Sequence, residues 1–171
     1  MSEQYVTMYG LTLELGVAKS ADGTWDYAPL KAGIDNIAEA MNYVINKYQF
    51  MANEGWGSTH VTGAHPEYTL TGKRILGDAA QDYIFSLKHA FGEARDSMLR
   101  LTFTDKSSGE AVKKEILQPV TIADMQEWSG ATTDDSAINI VLSCNGKPQM
   151  GTAQETNEPS GDQTEEQTET N

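Results

Sequence analysis

Three stretches of this chain alternate apolar and polar residues with a period of two. Leu11, Leu13 and Leu15 flank Thr12 and Glu14. Leu99, Leu101 and Phe103 alternate with Arg100, Thr102 and Thr104, and Ile138, Ile140, Leu142 and Cys144 alternate with Asn139, Val141 and Ser143. Successive side chains of a strand leave opposite faces, so each stretch predicts a strand with one buried face. Half-buried strands must share a core, which commits the body of the chain to a mainly β architecture.

The punctuation between strands agrees in part. Ser20-Ala21-Asp22-Gly23 predicts a turn, because Asp-Gly supplies positive φ cheaply. Trp25, Tyr27 and Leu30 read as an irregular stretch interrupted by Pro29. From Ile34 to Met51 two readings stand. Ile34, Ile37, Ala38, Met41 and Ile45 fit helical spacing, whereas Tyr43, Ile45, Tyr48, Phe50 and Met51 favour strands, and periodicity does not separate them. Asn53 to Pro66, with Gly55, Gly57 and Gly63, reads as a loop. Tyr68 to Thr71 alternates as a strand. Asp105 to Gly109 reads as a hairpin loop. Ala111 to Ile122 predicts a second strand region bent or interrupted at Pro119. Ala123 to Asp135 reads as a long connection, and Asn145-Gly146 closes the last strand before Pro148 ends the folded body.

One helix stands out. Asp78 suits the N-cap, and Gln81 three residues later completes a capping-box pattern. Ala80, Tyr83, Ile84, Leu87 and Phe91 share one face at helical spacing. Lys88 and His89 sit in the last turn, where cations complement the dipole, and Gly92 suits the C′ position. This predicts a helix of about fourteen residues from Asp78 to Phe91 that lies against a sheet.

Charge narrows the function classes. The net charge is −13, and the last 21 residues carry six acids and no base, which leaves the rest at −7. Residues 151–171 also lack every aromatic and every Leu, Ile, Val and Met. They cannot bury enough apolar surface to offset ordering, so they read as a disordered acidic tail beyond a domain at 1–150. An acidic body argues against binding DNA or RNA through phosphates. It fits a surface that nucleic acid passes without sticking, and equally a surface that only aids solubility.

Catalytic groups are scarce. His60 and His65 lie in a Gly-rich stretch without ligand-spaced partners, and His89 is explained by its helix end. Gly72-Lys73-Arg74 fails the phosphate-loop pattern, because Glu67 and Arg74 stand where Gly and Ser or Thr are required. Asp22-Gly23 and Asp134-Asp135 lack the acid ladder of a calcium loop. Cys144, the single cysteine, allows no intrachain disulfide and reads as a small buried hydrophobe. No basic region precedes an apolar run at the N-terminus, and no apolar stretch is long enough to span a bilayer. No cofactor is expected, and the expected setting is a reducing cytoplasm.

The run Tyr68-Thr69-Leu70-Thr71-Gly72-Lys73-Arg74-Ile75-Leu76-Gly77-Asp78-Ala79-Ala80-Gln81-Asp82-Tyr83-Ile84-Phe85 resembles the central segment of the major tail tube proteins of long, non-contractile-tailed bacteriophages of Gram-positive hosts. There a strand ends in a Thr-Gly-Lys/Arg-like turn, then Gly-Asp and a short helix. The later strands follow in the same order to Asn145-Gly146-Lys147-Pro148, so the likeness spans roughly Tyr27 to Met150, about three quarters of the chain. It implies an antiparallel β-sandwich flanked by one short helix, and it favours strands over Ile34–Met51. It further implies a non-enzymatic virion protein, made in the host bacterial cytoplasm. Six copies would close a ring and rings would stack into a tube, with inner strands joined into one barrel. The implied partners are other copies of the chain, a tape-measure protein in the lumen, tail terminator and distal tail proteins, and genomic DNA in transit. No membrane is implied. Acids on the lumen strands would repel that DNA, and a lumen lined mainly by Lys and Arg would exclude this. Gly72, Lys73 and Arg74, in the turn that carries the likeness, are expected at a subunit interface. So is Trp56, a large aromatic flanked by two glycines. The related inner tube of contractile tails and type VI secretion machines is a close cousin of this reading, a β-sandwich decoration or host-binding module is the alternative, and an acidic enzyme of unrecognised class is a third reading.

Overall fold

A computed structural model describes residues 7–106 and 111–152. The acidic tail therefore lies outside the described residues, except for Gly151 and Thr152. Among the described residues, ten strands and one α-helix follow in order: β1 (Thr12–Lys19), β2 (Trp25–Pro29), β3 (Ile34–Ala40), β4 (Tyr43–Gln49), β5 (Gly57–Ala64), β6 (Glu67–Lys73), α1 (Ala79–Ser86), β7 (Asp96–Asp105), β8 (Val112–Gln126), β9 (Ala137–Cys144) and β10 (Gln149–Thr152). All pairings are antiparallel. Eight strands form one sheet in the order β2-β1-β7-β8-β9-β6-β3, with β10 on β8, while β4 and β5 pair only with each other.

The three alternating stretches become β1, β7 and β9, each with one face inward. In β9 every second residue is buried, from Ile138 to Cys144. Leu13, Leu15, Leu99, Leu101, Ile140 and Leu142 join one core with Leu70, Val120, Ile122 and the helix residues Ala80, Ile84 and Phe85. The polar half of the pattern pairs across strands: Arg100 Nε donates to Glu14 Oε2 at 2.6 Å, and its guanidinium lies 4.0 Å from the centre of the Tyr27 ring. The opposite ends of the sheet approach each other, since residues of β1 and β3 line one cavity. Burial pushes the Cys144 thiol up to about 11, with the charges of Glu39 and Glu67 adding to the effect.

Several expectations change. Trp25–Pro29 is a strand rather than an irregular stretch. Pro29 is its last residue on an edge, where a missing N–H costs little, and Trp25 packs over Gly16 as part of the body. Asn53–Pro66 is not a loop, because Gly57–Ala64 pairs with β4. Pro119 does not interrupt β8. It stands between the pairings of β8 with β10 and with β9, and its carbonyl accepts from Asn145 N at 2.7 Å, so the absent N–H falls in a gap of the ladder. The chain continues past Pro148 into β10.

The helix is shorter than its apolar spacing predicts. It ends at Ser86, and one 3-10 turn, Leu87–His89, follows. Arg95 reaches back to donate to Ala90 O at 2.8 Å, and Ala90 itself is extended. Phe91 is consequently 84% exposed, and Gly92 opens a separate 3-10 turn instead of closing the helix. The cap is half of the expected box. Asp78 Oδ1 accepts from Gln81 N at 2.9 Å, but the Gln81 side chain does not return the bond. Buried Gln81 instead donates to Ala32 O at 2.7 Å and Lys73 O at 3.2 Å, and accepts from Ile75 N at 2.9 Å. It thereby ties the β2–β3 link to the end of β6. Gln81→Leu keeps the volume but strands these groups, so it is expected to lower the unfolding free energy in a urea titration by about 2–4 kcal/mol.

Candidate assembly interface

β3–β6 and β4–β5 are two halves of one long hairpin running from Ile34 to Lys73. The ladder breaks between Ala40↔Glu67 and Tyr43↔Ala64. Two residues cause the break. Asn42 adopts φ 44°, a left-handed conformation that Asn tolerates better than most residues, and Pro66 has no N–H to offer. His65 N donates to Met41 O at 3.1 Å and closes the strands at this point. Glu67 braces the joint, accepting from Asn42 Nδ2 at 2.9 Å and from Ser143 Oγ at 3.2 Å. Beyond the joint, β4 and β5 leave the body as an arm. Its tip is a 3-10 turn, Met51–Asn53, followed by Glu54 and Gly55 in left-handed conformations at φ 52° and 89°.

The arm is apolar and uncovered. No residue of β4 or β5 is buried. Tyr43, Val44, Ile45, Tyr48, Phe50 and Val61 are each more than two-fifths exposed, Trp56 is 80% exposed and Met51 fully so. Alternation places Tyr43 and Ile45 on one face, with Val44, Tyr48 and Phe50 on the other, so turning the arm cannot hide its apolar residues. Tyr48 stacks on Phe50 at 6.0 Å and meets the edge of His60 at 5.9 Å. A lone two-stranded hairpin is marginal in water, and a contiguous apolar surface of this kind marks an interaction site.

The four residues expected at an interface are not brought together. Trp56 stands at the arm tip. Lys73 is exposed at the end of β6, its Nζ donating to Asp135 O at 3.1 Å. Gly72 is buried, and a Cβ there would sit inside the Gly33 carbonyl oxygen and 2.8 Å from Ile34 Cα. Arg74, with a side chain only 6% exposed, bonds Asp82 Oδ1 at 2.6 Å, Glu127 Oε1 at 3.2 Å and Ile75 O at 2.7 Å, over the Phe85 ring. The geometry gives Gly72 and Arg74 work inside the subunit, where they join β6, α1 and the chain after β8. Trp128, in that stretch, is 58% exposed.

The histidines lie apart: His60 on the arm, His65 at the joint and His89 in the turn after α1. His65 Nε2 is 3.3 Å from Ser143 Oγ, but that hydroxyl also donates to Glu67, and among the described residues no carboxylate orients the imidazole as a general base requires. Among the described residues, no group of three or more His, Cys, Asp or Glu is placed to hold a metal ion.

No protein-family model and no curated protein sequence matches the chain. Solved structures do. The tube-terminating cap of the anti-feeding prophage superposes with a TM-score of 0.57 at 14% identity, covering 90% of this chain and 95% of that one. The tail of a gene transfer agent particle, refined with C6 symmetry, gives 0.57 at 9% identity over 85% and 98%. The tail tube of SPP1 gives 0.58 at 12% identity over 87% and 80%. The chain therefore has the fold of tail tube proteins.

Proposed function

We propose that this chain is a structural, non-enzymatic subunit of a virion tail tube. Six copies close a ring, and rings stack into a conduit through which the genome leaves. The observation that carries this reading is the uncovered apolar arm from Tyr43 to Ala64, which a second copy would bury. The tube-protein fold supports it, as does the likeness of residues 68–85 to tubes of non-contractile tails from Gram-positive hosts. The tube domain occupies residues 1–150, its last strand β10 running two residues further into the acidic stretch 151–171. Tail terminator and distal tail proteins bound the stack, and a tape-measure protein fills the lumen during assembly in the host cytoplasm. Trp56 is the interface residue on the arm and Lys73 lies at the subunit surface, while Gly72 and Arg74 shape the junction behind it.

Electron microscopy of the purified protein at rising concentration tests the proposal. Rings with six-fold symmetry and hollow tubes are the expected result. A protein that stays monomeric at high concentration, with neither rings nor tubes, overturns it in favour of a decoration or host-binding module.

A further inference from the structure

The same long hairpin carries a cavity at the end opposite the arm. Buried Leu13 and Leu30 floor it, with Leu11, Ile34 and Ile37 on its walls and exposed Lys31, Asp35 and Asn36 at its rim. Its volume is about 280 Å³. A cavity of ~150 Å³ accepts a benzene ring, so this one has room for the two-ring indole of a tryptophan. We propose that it receives the arm tip of a second copy, with Trp56 seated among Leu11, Leu30 and Ile37. This inference rests on the reading that the chain assembles with itself, and it names the receiving surface.

Three features converge on a second copy as the occupant. The first is polarity. The first four residues of β3 line the cavity, and the arm departs after its last residue, so projection and recess lie at opposite ends of one ribbon. From Ile37 to the tip at Met51, a strand rise of about 3.3 Å per residue gives roughly 46 Å for collinear halves. A copy is thus kept from filling its own cavity, whereas a neighbour displaced along the ribbon presents its tip. The second is interface type. A projection on one surface that fits a recess on another is heterologous, and such contacts extend into stacks instead of closing as dimers. The third is chemistry. The tip offers an 80% exposed indole, and the cavity offers an apolar floor of Leu13 and Leu30 to receive it.

Cysteine cross-linking tests this. In a Cys144→Ala background, Ala52→Cys at the tip and Asn36→Cys at the rim are combined in one chain. The two are too far apart to bridge within one copy, since a disulfide requires Cα atoms within about 7 Å. Oxidation of assembled protein is expected to give a ladder of covalent multimers on a non-reducing gel. A control pairing Ala52→Cys with Lys113→Cys is expected to give none. In parallel, Trp56→Ala is expected to raise the concentration needed for assembly roughly tenfold or more, as loss of one buried aromatic contact implies.

Tubes that form without a 36–52 ladder overturn this inference and leave the tube reading standing. An equally strong 52–113 ladder also overturns it, because the cross-links would then be unspecific. So does an intrachain bond between cysteines at Ser2 and Asn36, which would place the chain's own first residues in the cavity. Absence of any assembly by the Cys144→Ala parent removes the premise itself.

Discussion

Replacing residues 43–64 by an Asn-Gly turn is expected to yield a folded monomer that no longer assembles. The two ends already meet, with His65 N 3.1 Å from Met41 O, so a two-residue turn closes the gap. None of the removed residues belongs to the core. The melting temperature should therefore move by only a few degrees, and far-UV circular dichroism should lose only the arm's contribution. Association should suffer far more. Each large apolar side chain taken out of water contributes about 1.5–3 kcal/mol, and the deletion removes Tyr43, Val44, Ile45, Tyr48, Phe50, Met51, Trp56 and Val61 together. Size-exclusion chromatography and electron microscopy should show monomers at concentrations where the intact chain forms tubes. Tubes that persist without the arm would show that another surface carries the assembly. A chain that fails to fold would show that the arm stabilises the body, contrary to its exposure.

Gly72→Val is expected to destroy the fold itself. Gly72 sits between Ile34 of β3 and Ile138 of β9, paired on both sides. Its missing side chain makes room for the Gly33 carbonyl, and Gly33 is itself held at φ 70°. Any Cβ here must push β3 away from β6, which breaks the ladder and pulls Lys73 N from its 2.7 Å bond to Gly33 O. The cost should exceed about 4 kcal/mol, most of the stability of a domain this size. Urea unfolding, or simple partition into the insoluble fraction, reads it. Gly57→Ala is the control. It lies on the exposed arm with its nearest foreign atom 3.7 Å from a built Cβ, an ordinary contact, and should be close to neutral. If the two variants behave alike, the close approach at Gly72 is not what its position requires.

Gly72→Val falls within the motif on which the family likeness rests. The turn Thr71-Gly72-Lys73-Arg74 is conspicuous in the sequence, yet its glycine is spent on a close approach and its arginine on Asp82, Glu127 and Phe85. A motif reports that residue types are constrained, not whether the constraint lies within a subunit or between subunits. The arm shows the converse. Thr59, His60, Val61 and Thr62 are strand formers, but Gly55, Gly57 and Gly63 around them carry the signature of a loop. Its strand exists because β4 lies alongside it, and that pairing spans a tip that local propensity does not record.

The alternations at Leu11–Leu15, Leu99–Phe103 and Ile138–Cys144 determined the mainly β body and the inward faces of β1, β7 and β9, because a period of two admits one arrangement with a buried side. Asp78 likewise determined where the helix begins, since a cap acts within one turn. What the sequence left undecided depended on distant neighbours. The helix gives way to a 3-10 turn after Ser86, with Arg95 donating to Ala90 O beyond it, and Gln81 serves the β2–β3 link instead of closing its own cap. The arm and the cavity lie at opposite ends of one ribbon because β3 pairs with β6 while β4 and β5 pair only with each other. Local periodicity sets which face of an element is apolar. Only tertiary packing decides which of those faces the chain covers itself and which it leaves open.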